Sequence, residues 1–340
     1  MLAIRKIFNP PMFQGNLKKK FYFEGWYFKI VDPTEKKSYA FIPGISLDKA
    51  HNTSHSFIQL LNGTTGETFY FEYSLKEFSA SPYKFEVKVG QNYFSQDKIK
   101  ISIHQQGHDI EGELRFKNLV PWPKTLSSPG VMGPFTYIPI MECYHGLISM
   151  NHDIEGKITF NKELVDFTNG LGYIEKDWGK SFPSGYIWLQ TNHFTKEKAS
   201  FMASIAKIPL LGTHFIGFLF VLWYNGKVYP FTTYTGTKIQ GLTVAPNRVK
   251  AAFADKNYLI VFDARKVHKE GRKAPIAQAG VLKSPTLGEM KGRIMESLTS
   301  EATVTLYGRE NGGKKKKLIF SDTGYHAGLE IEATKEALDF

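Results

Sequence analysis

Short runs rich in Val, Ile, Phe, Tyr and Thr, separated by clusters of Gly, Asn, Asp and Pro, repeat along almost the whole chain. This rhythm limits the fold more than any other feature. The runs 21–31, 38–46, 56–61, 68–73, 85–89, 99–104 and 111–116 have the length and alternation of strands. Between them stand turn signals: Asp32-Pro33, Asn62-Gly63, Thr65-Gly66 and Gln106-Gly107. Even spacing of short strands predicts an antiparallel sandwich or barrel. No long amphipathic helix is evident. Modest helices are expected near 263–271 and at Ala333 to Leu338.

The rhythm also repeats at long range. Residues 25–74 can be laid on 185–234 at a constant offset of 160 without a gap. Gly25 then falls on Gly185, Phe41 on Phe201, Ile45 on Ile205, Gly66 on Gly226 and Phe71 on Phe231. A weaker echo sets 110–114 against 290–294. A chain of 340 residues has the length of two ordinary domains. The economical reading is an all-β protein of two similar domains, 1–170 and 171–340, joined through the glycines of 166–172.

Composition narrows the partners. Aromatic residues make up 14% of the chain, which suits strands and apolar pockets better than helical bundles. The net charge is +11, so the surface is able to touch an anionic membrane. Part of that excess sits in Lys18-Lys19-Lys20 and in Lys314 to Lys317, runs that ordinarily form solvated turns. No nucleic-acid signature accompanies them, and no nucleic-acid partner is expected. Cys143 stands alone, so an intrachain disulfide and a cysteine-based zinc site are both excluded. It is expected to be a buried small hydrophobe. Residues 1–11 hold no apolar run of signal-peptide length, and a cytoplasmic protein is the expectation. The most apolar window, Ile208 to Tyr224, is broken by Pro209, Gly212 and Gly217. It predicts two buried strands in place of a spanning helix.

Two segments carry chemistry. In 21–30, alternation places Tyr22, Glu24, Trp26, Phe28 and Ile30 on one face, with Phe21, Phe23, Gly25, Tyr27 and Lys29 on the other. Both faces are apolar enough for burial. Glu24 is then either ionised against a cation or protonated and available as a general acid. In 173–192, Glu175, Lys176, Asp177 and Trp178 precede a strand with Tyr186, Trp188, Gln190 and Asn192 on one face. Aromatics with amides suit the wall of a site for an apolar ligand with a polar head. Here too the charged residues have a structural alternative, an ion-pair staple. His145 lies beside Glu142 at the start of a strand, as a second acid, an orienting partner or a satisfied buried histidine. The pairs His51/His55 and His104/His108 are four apart, but in strand and turn context, where that spacing does not gather a metal. No phosphate loop, dinucleotide fingerprint or Gly-x-Ser-x-Gly elbow is present.

Glu24-Gly25-Trp26-Tyr27-Phe28-Lys29 and Glu175-Lys176-Asp177-Trp178-Gly179, followed by Phe182-Pro183 and Trp188-Leu189-Gln190, resemble the signature of the tocopherol cyclase family. The resemblance continues to Gly292-Arg293-Ile294 and 327–330. It implies two lipocalin-like antiparallel β-barrels in tandem, and kinship with carotenoid hydratases. The plant cyclases carry a plastid-targeting segment; a chain whose first motif begins this early resembles a bacterial homologue. The family reaction, an intramolecular ring closure without cofactor, needs a proton donor, aromatic faces for a tertiary cation and a clamp for the head group. On that reading Glu24, Glu175, Asp177 and His145 are catalytic candidates. Trp26, Tyr27, Phe28, Trp178, Tyr186, Trp188, Gln190 and Asn192 contact the hydrophobic ligand, and no metal is required. The competing expectation is a carrier that holds a lipid, quinone or carotenoid unchanged.

Overall fold

In a computed structural model, residues 2–210, 212–267, 279–310, 315–334, 336 and 338 are described. The first twelve strands are β1 Phe21–Val31, β2 Ser38–Asp48, β3 His55–Asn62, β4 Thr68–Tyr73, β5 Phe78–Ala80, β6 Glu86–Val89, β7 Asn92–Ser95, β8 Lys98–Gln105, β9 His108–Lys117, β10 Cys143–Phe160, β11 Glu163–Asp166 and β12 Leu171–Gly179. They form one antiparallel sheet in the order β4-β3-β2-β1-β12-β10-β9-β8-β7-β6-β5, with β11 on β10. A second sheet contains β13 Tyr186–Thr191, β14 His193–Phe194, β15 Ala199–Leu210, β16 Thr213–Tyr224, β17 Lys227–Thr232, β18 Lys238–Ala245, β19 Arg248–Ala254, β20 Tyr258–Arg265, β21 Ala279–Thr286, β22 Glu289–Glu310 and β23 Lys315–Ile331. Its order is β17-β16-β15-β13-β23-β22-β20-β19-β18. Among the described residues helix is confined to α1, Leu2–Ile7, and two 3-10 turns.

The chain is thus all-β, as expected. Among the described residues no pairing joins the end strands of either sheet into a ring. The early turns follow their sequence cues. Gln106 and Gly107 both take positive φ, 56° and 78°, as a two-residue hairpin loop between right-twisted strands requires. The 160-residue echo is topological as well. In each sheet, four neighbouring strands run outward to one end: β1-β2-β3-β4 and β13-β15-β16-β17, with β14 off this path. The echo of 110–114 with 290–294 is not. The former lies in β9, between β8 and β10, whereas β22 pairs β20, β21 and β23.

Two compact units emerge: 1–182 with 281–294, and 183–280 with 295–340. The join expected at 170/171 falls inside the first. Asn169, at φ 69°, turns the chain so that β12 enters between β1 and β10. The helix expected over 263–271 is strand through Arg265, with 268–271 outside the described residues. Over 333–338, where 335 and 337 are outside, no described residue is helical. Of the lysine run 314–317, Lys314 is outside and the rest begin β23. The apolar window 208–224 does form two strands, but its tip is exposed at Pro209, Thr213 and His214.

Each unit has its own core. In the first, Trp26, Phe28, Phe41, Phe94 and Ile174 are fully buried; in the second, Phe201, Phe220, Phe253 and Leu329 are. The fourteen-residue hairpin segment that joins the first unit is held there by polar contacts. Ser46 Oγ donates to Gly288 O at 2.7 Å, Gln59 Nε2 to Lys283 O at 3.0 Å, and Leu287 N to Ser181 Oγ at 2.8 Å.

Candidate functional site

The register of β1 on β12 brings the two motifs together. Glu24 stands opposite Trp178, Trp26 opposite Lys176, Gly25 opposite Asp177 and Tyr27 opposite Glu175. Paired residues share a face, and neighbours along a strand alternate. Glu24, Trp26, Lys176 and Trp178 therefore lie on one face, and Tyr27, Glu175 and Asp177 on the other. The motifs meet, but their glutamates serve opposite sides of the sheet.

On the core face Glu24 is fully buried and saturated. Its Oε1 pairs with Lys176 Nζ and accepts Gln14 N at 2.8 Å; its Oε2 accepts Gly15 N at 3.0 Å and the Tyr22 hydroxyl. Lys176 Nζ also donates to Pro10 O at 2.7 Å and to Met12 O, and it lies 4.8 Å from the ring centres of Trp26 and Trp178. Burial pulls the Lys176 ammonium down to about 8, and Glu24 opposes further loss. The Trp26 indole donates to Pro11 O at 2.9 Å. The whole cluster pins residues 10–15 over the sheet. Glu24 thus has a buried counter-ion and several donors, the arrangement of the ion-pair alternative. Trp26 stacks on Phe85 at 5.8 Å and 9°, Phe28 lies against Phe85, Phe94 and Phe116, and Trp178 stacks on Tyr144 at 5.4 Å. These rings fill the core.

The opposite face gathers a different set. His145 faces Asp177 across β10 and β12, and its Nδ1 is 2.9 Å from Asp177 Oδ1. Its Nε2 reaches diagonally to within 3.5 Å of Glu175 Oε2. A register irregularity between Leu147 and Ser149 follows directly on this pair, a device that re-aims side chains beside it. Burial works to lower the His145 pKa, but Asp177 and Glu175 outweigh it and lift it to about 9. The ring is therefore an imidazolium at neutral pH. Tyr173, two residues before Glu175 on the same face, donates its hydroxyl to Glu175 Oε2. Burial and the Glu175 charge push that phenol well up, so it stays a donor. Opposite Tyr173 stands Lys29, a fully buried lysine. Tyr27 is buried beside them, at 8% exposure.

His145, Glu175, Asp177 and Tyr27 are thus brought together, and sequence reasoning missed Tyr173 and Lys29 as their companions. The signal was available: both lie two residues from a chosen residue on its own strand face. Cys143 begins β10 and is half-buried where a buried residue was expected; desolvation with Asp177 and Glu142 pushes its thiol well up, as suits an inert residue. His145, Glu175 and Asp177 also offer ligand atoms within 4.8 Å of one another, as do Asp48, His51 and Glu289, so either group could take a cation. In the second unit Tyr186, Trp188 and Gln190 are buried on one face of β13, away from the core residues Ile187 and Leu189, and Asn192 is buried just past its end. The edge of the Trp188 ring lies over Gly328, where a Cβ would come within 2.5 Å of it.

Comparison with known proteins gives a consistent picture. A family model described as tocopherol cyclase-like matches residues 84–333. The probable chloroplastic tocopherol cyclase of Oryza sativa subsp. japonica is 29% identical over 52% of this chain and 36% of its own length. The chloroplastic tocopherol cyclase of Zea mays is 24% identical over 61% of this chain and 42% of its own. The aligned part of the chain thus spans well under half of each relative. Among solved structures, CghA covers 93% of this chain and 89% of its own with a TM-score of 0.53 at 11% identity, and CghA with Sch210972 scores 0.51 at 10%. At such identity the likeness is one of fold. No helix among the described residues is long and apolar enough to cross a membrane.

Proposed function

Because the chain belongs to the tocopherol cyclase-like family, we propose that it closes a ring on a prenylated phenol or quinol by acid catalysis, at the face of β1, β10 and β12 that carries His145. The observation behind this reading is the buried His145, bound through Nδ1 to Asp177 with Nε2 directed at Glu175. Asp177 orients the ring and fixes its tautomer. On this reading His145 and Glu175 hold one transferable proton between them. In the form with neutral imidazole and protonated Glu175, the carboxyl gives its proton to the trisubstituted alkene. The phenol oxygen attacks the tertiary cation and loses its own proton to the pair, so atoms and charge balance. Tyr173 holds Glu175 in place, and Lys29 with Tyr27 clamps the head group. Tyr186, Trp188, Gln190 and Asn192 are read as ligand contacts within their own unit, and each sheet is read as a lipocalin-like barrel. No cofactor enters the reaction.

The test is chromanol formation from a prenylated quinol by the wild type, Glu175→Gln, His145→Gln and Glu24→Gln. Glu175→Gln should lose about 100-fold or more in turnover, the scale of general acid catalysis, with ligand binding retained. Glu24→Gln strands Lys176 without its counter-ion and should cost about 3–5 kcal/mol of stability, with kcat of the folded fraction kept. Equal turnover in wild type and Glu175→Gln would reject the acid. Ligand binding without turnover in every protein would identify a carrier.

A further inference from the structure

The first unit exposes large apolar side chains on three segments that touch one another. Ile4 on α1 is 65% exposed, Tyr83 67%, Leu126 82%, Tyr137 44% and Ile140 57%. Arg5 ties α1 to the second segment, donating to Tyr83 O at 2.7 Å with its guanidinium 5.7 Å from the Tyr83 ring. Phe8 packs edge-on against Tyr137 at 6.4 Å. Tyr137 in turn donates to Leu126 O at 2.6 Å. Lys124 Nζ reaches Asn9 Oδ1 at 3.4 Å. One continuous surface results, and contiguous exposed apolar groups mark an interaction site.

Its charge says what kind. Residues 1–23, 78–85 and 116–141, which contain all three segments, hold no Asp or Glu. They do hold Arg5, Lys6, the exposed run Lys18-Lys19-Lys20, and Lys124. Burial lowers the proton affinity of Lys19; Glu24 opposes this and the nearby Lys6 adds to it. Exposed apolar anchors and tyrosines, with Arg5 against Tyr83 and Lys124 against Asn9 on the same segments, match the interface of an anionic bilayer, where aromatic rings sit at headgroup depth and each lysine or arginine adds attraction. We propose that this face, formed by α1, Tyr83 and the 124–140 loop, is a docking surface for a membrane rich in anionic lipid. It does not depend on the chemistry proposed for His145.

The experiment is cosedimentation of the full chain with vesicles of phosphatidylcholine alone and with 30% phosphatidylglycerol. Wild type should bind the anionic vesicles, weaken as salt rises from 0.1 M toward 1 M, where the Debye length falls from about 10 to 3 Å, and bind neutral vesicles poorly. Leu126→Asp with Ile140→Asp should lower binding at least about tenfold. Leu318→Asp with Tyr325→Asp, the same change at exposed positions of the second unit, should leave it intact. Circular dichroism melting shows whether each variant is folded. Absence of wild-type binding, equal loss in both double variants, or retention in Leu126→Asp/Ile140→Asp would overturn the proposal. So would sedimentation velocity showing that this face instead joins two copies of the chain.

Discussion

His145 and His152 stand on the same strand and meet opposite fates. His145 has two carboxylates within reach and is raised to about 9. His152 is buried against Phe116 at 4.4 Å, with Ser149 Oγ at its Nδ1, and burial takes it down to about 3. An unfolded histidine titrates near 6.5. The stabilisation from His145 is therefore complete below about pH 6.5 and is lost as pH rises through 9. That from His152 is complete above 6.5 and is lost as pH falls toward 3. The unfolding free energies of wild type and His145→Gln should thus differ by on the order of 3 kcal/mol near pH 6. The gap should close by about pH 10. Urea titrations at pH 6, 8 and 10 measure it, and a gap independent of pH would show that His145 is not held as an imidazolium. The two motifs were legible in the sequence because carboxylates among aromatics are costly to bury. Which glutamate did which work was not. The counter-ion of Glu24 lies about 150 positions away, and only the β1–β12 register reveals that the two glutamates face opposite sides.

Among elements, the turn between β21 and β22 is tightly constrained. Leu287 and Gly288 both have positive φ, 49° and 84°. A Cβ on Gly288 would stand 2.2 Å from Leu47 O and 2.6 Å from Tyr22 N, both backbone atoms that cannot swing aside. Gly288→Ala should therefore destabilise the first unit by about 2–4 kcal/mol, from strain at positive φ and the forced displacement together. Gly226→Ala, at φ 72° in another turn with open space where its Cβ would go, should cost about 1 kcal/mol. Thermal melts of the pair read the difference, and equal losses would mean that the close approach is relieved without cost. The longer strands up to residue 117 were readable, since alternation and turn residues act locally: β1 and β4 begin and end where the pattern predicts, while the short β5 and β7 carried too few residues to show it. The placement of β21 was not readable. The residues that receive it, Ser46, Gln59 and Ser181, carry no local mark of a partner 106 to 242 positions away.

For the whole molecule, the 160-residue echo described the architecture more faithfully than the domain boundary drawn from it. Duplicated meanders occupy matching places, but each sheet is completed by strands from much later in the chain. β12 enters beside β1, and β23 enters beside β13. Local pattern reports that a segment is a strand; it does not report which gap the strand fills. A fragment ending at Phe182 should consequently be incomplete. It should melt at least about 10 °C below the first transition of the full chain, since loss of a few kcal/mol moves Tm by several degrees in a unit of this size. A synthetic peptide of 279–296 added in excess should raise that melting temperature. A fragment as stable as the full chain would show the hairpin to be dispensable.

Synthesis on the ribosome gives the hairpin a further significance. Residues 281–294 emerge roughly a hundred positions after Phe182, which at ~5–20 residues per second is a delay of about 5–20 s. For that interval the leading unit exists without its last component, with the sites on Ser46, Gln59 and Ser181 vacant. The chain therefore matures out of order along its length: its first half is translated first and finished late, and the nascent protein needs protection longest at its oldest end.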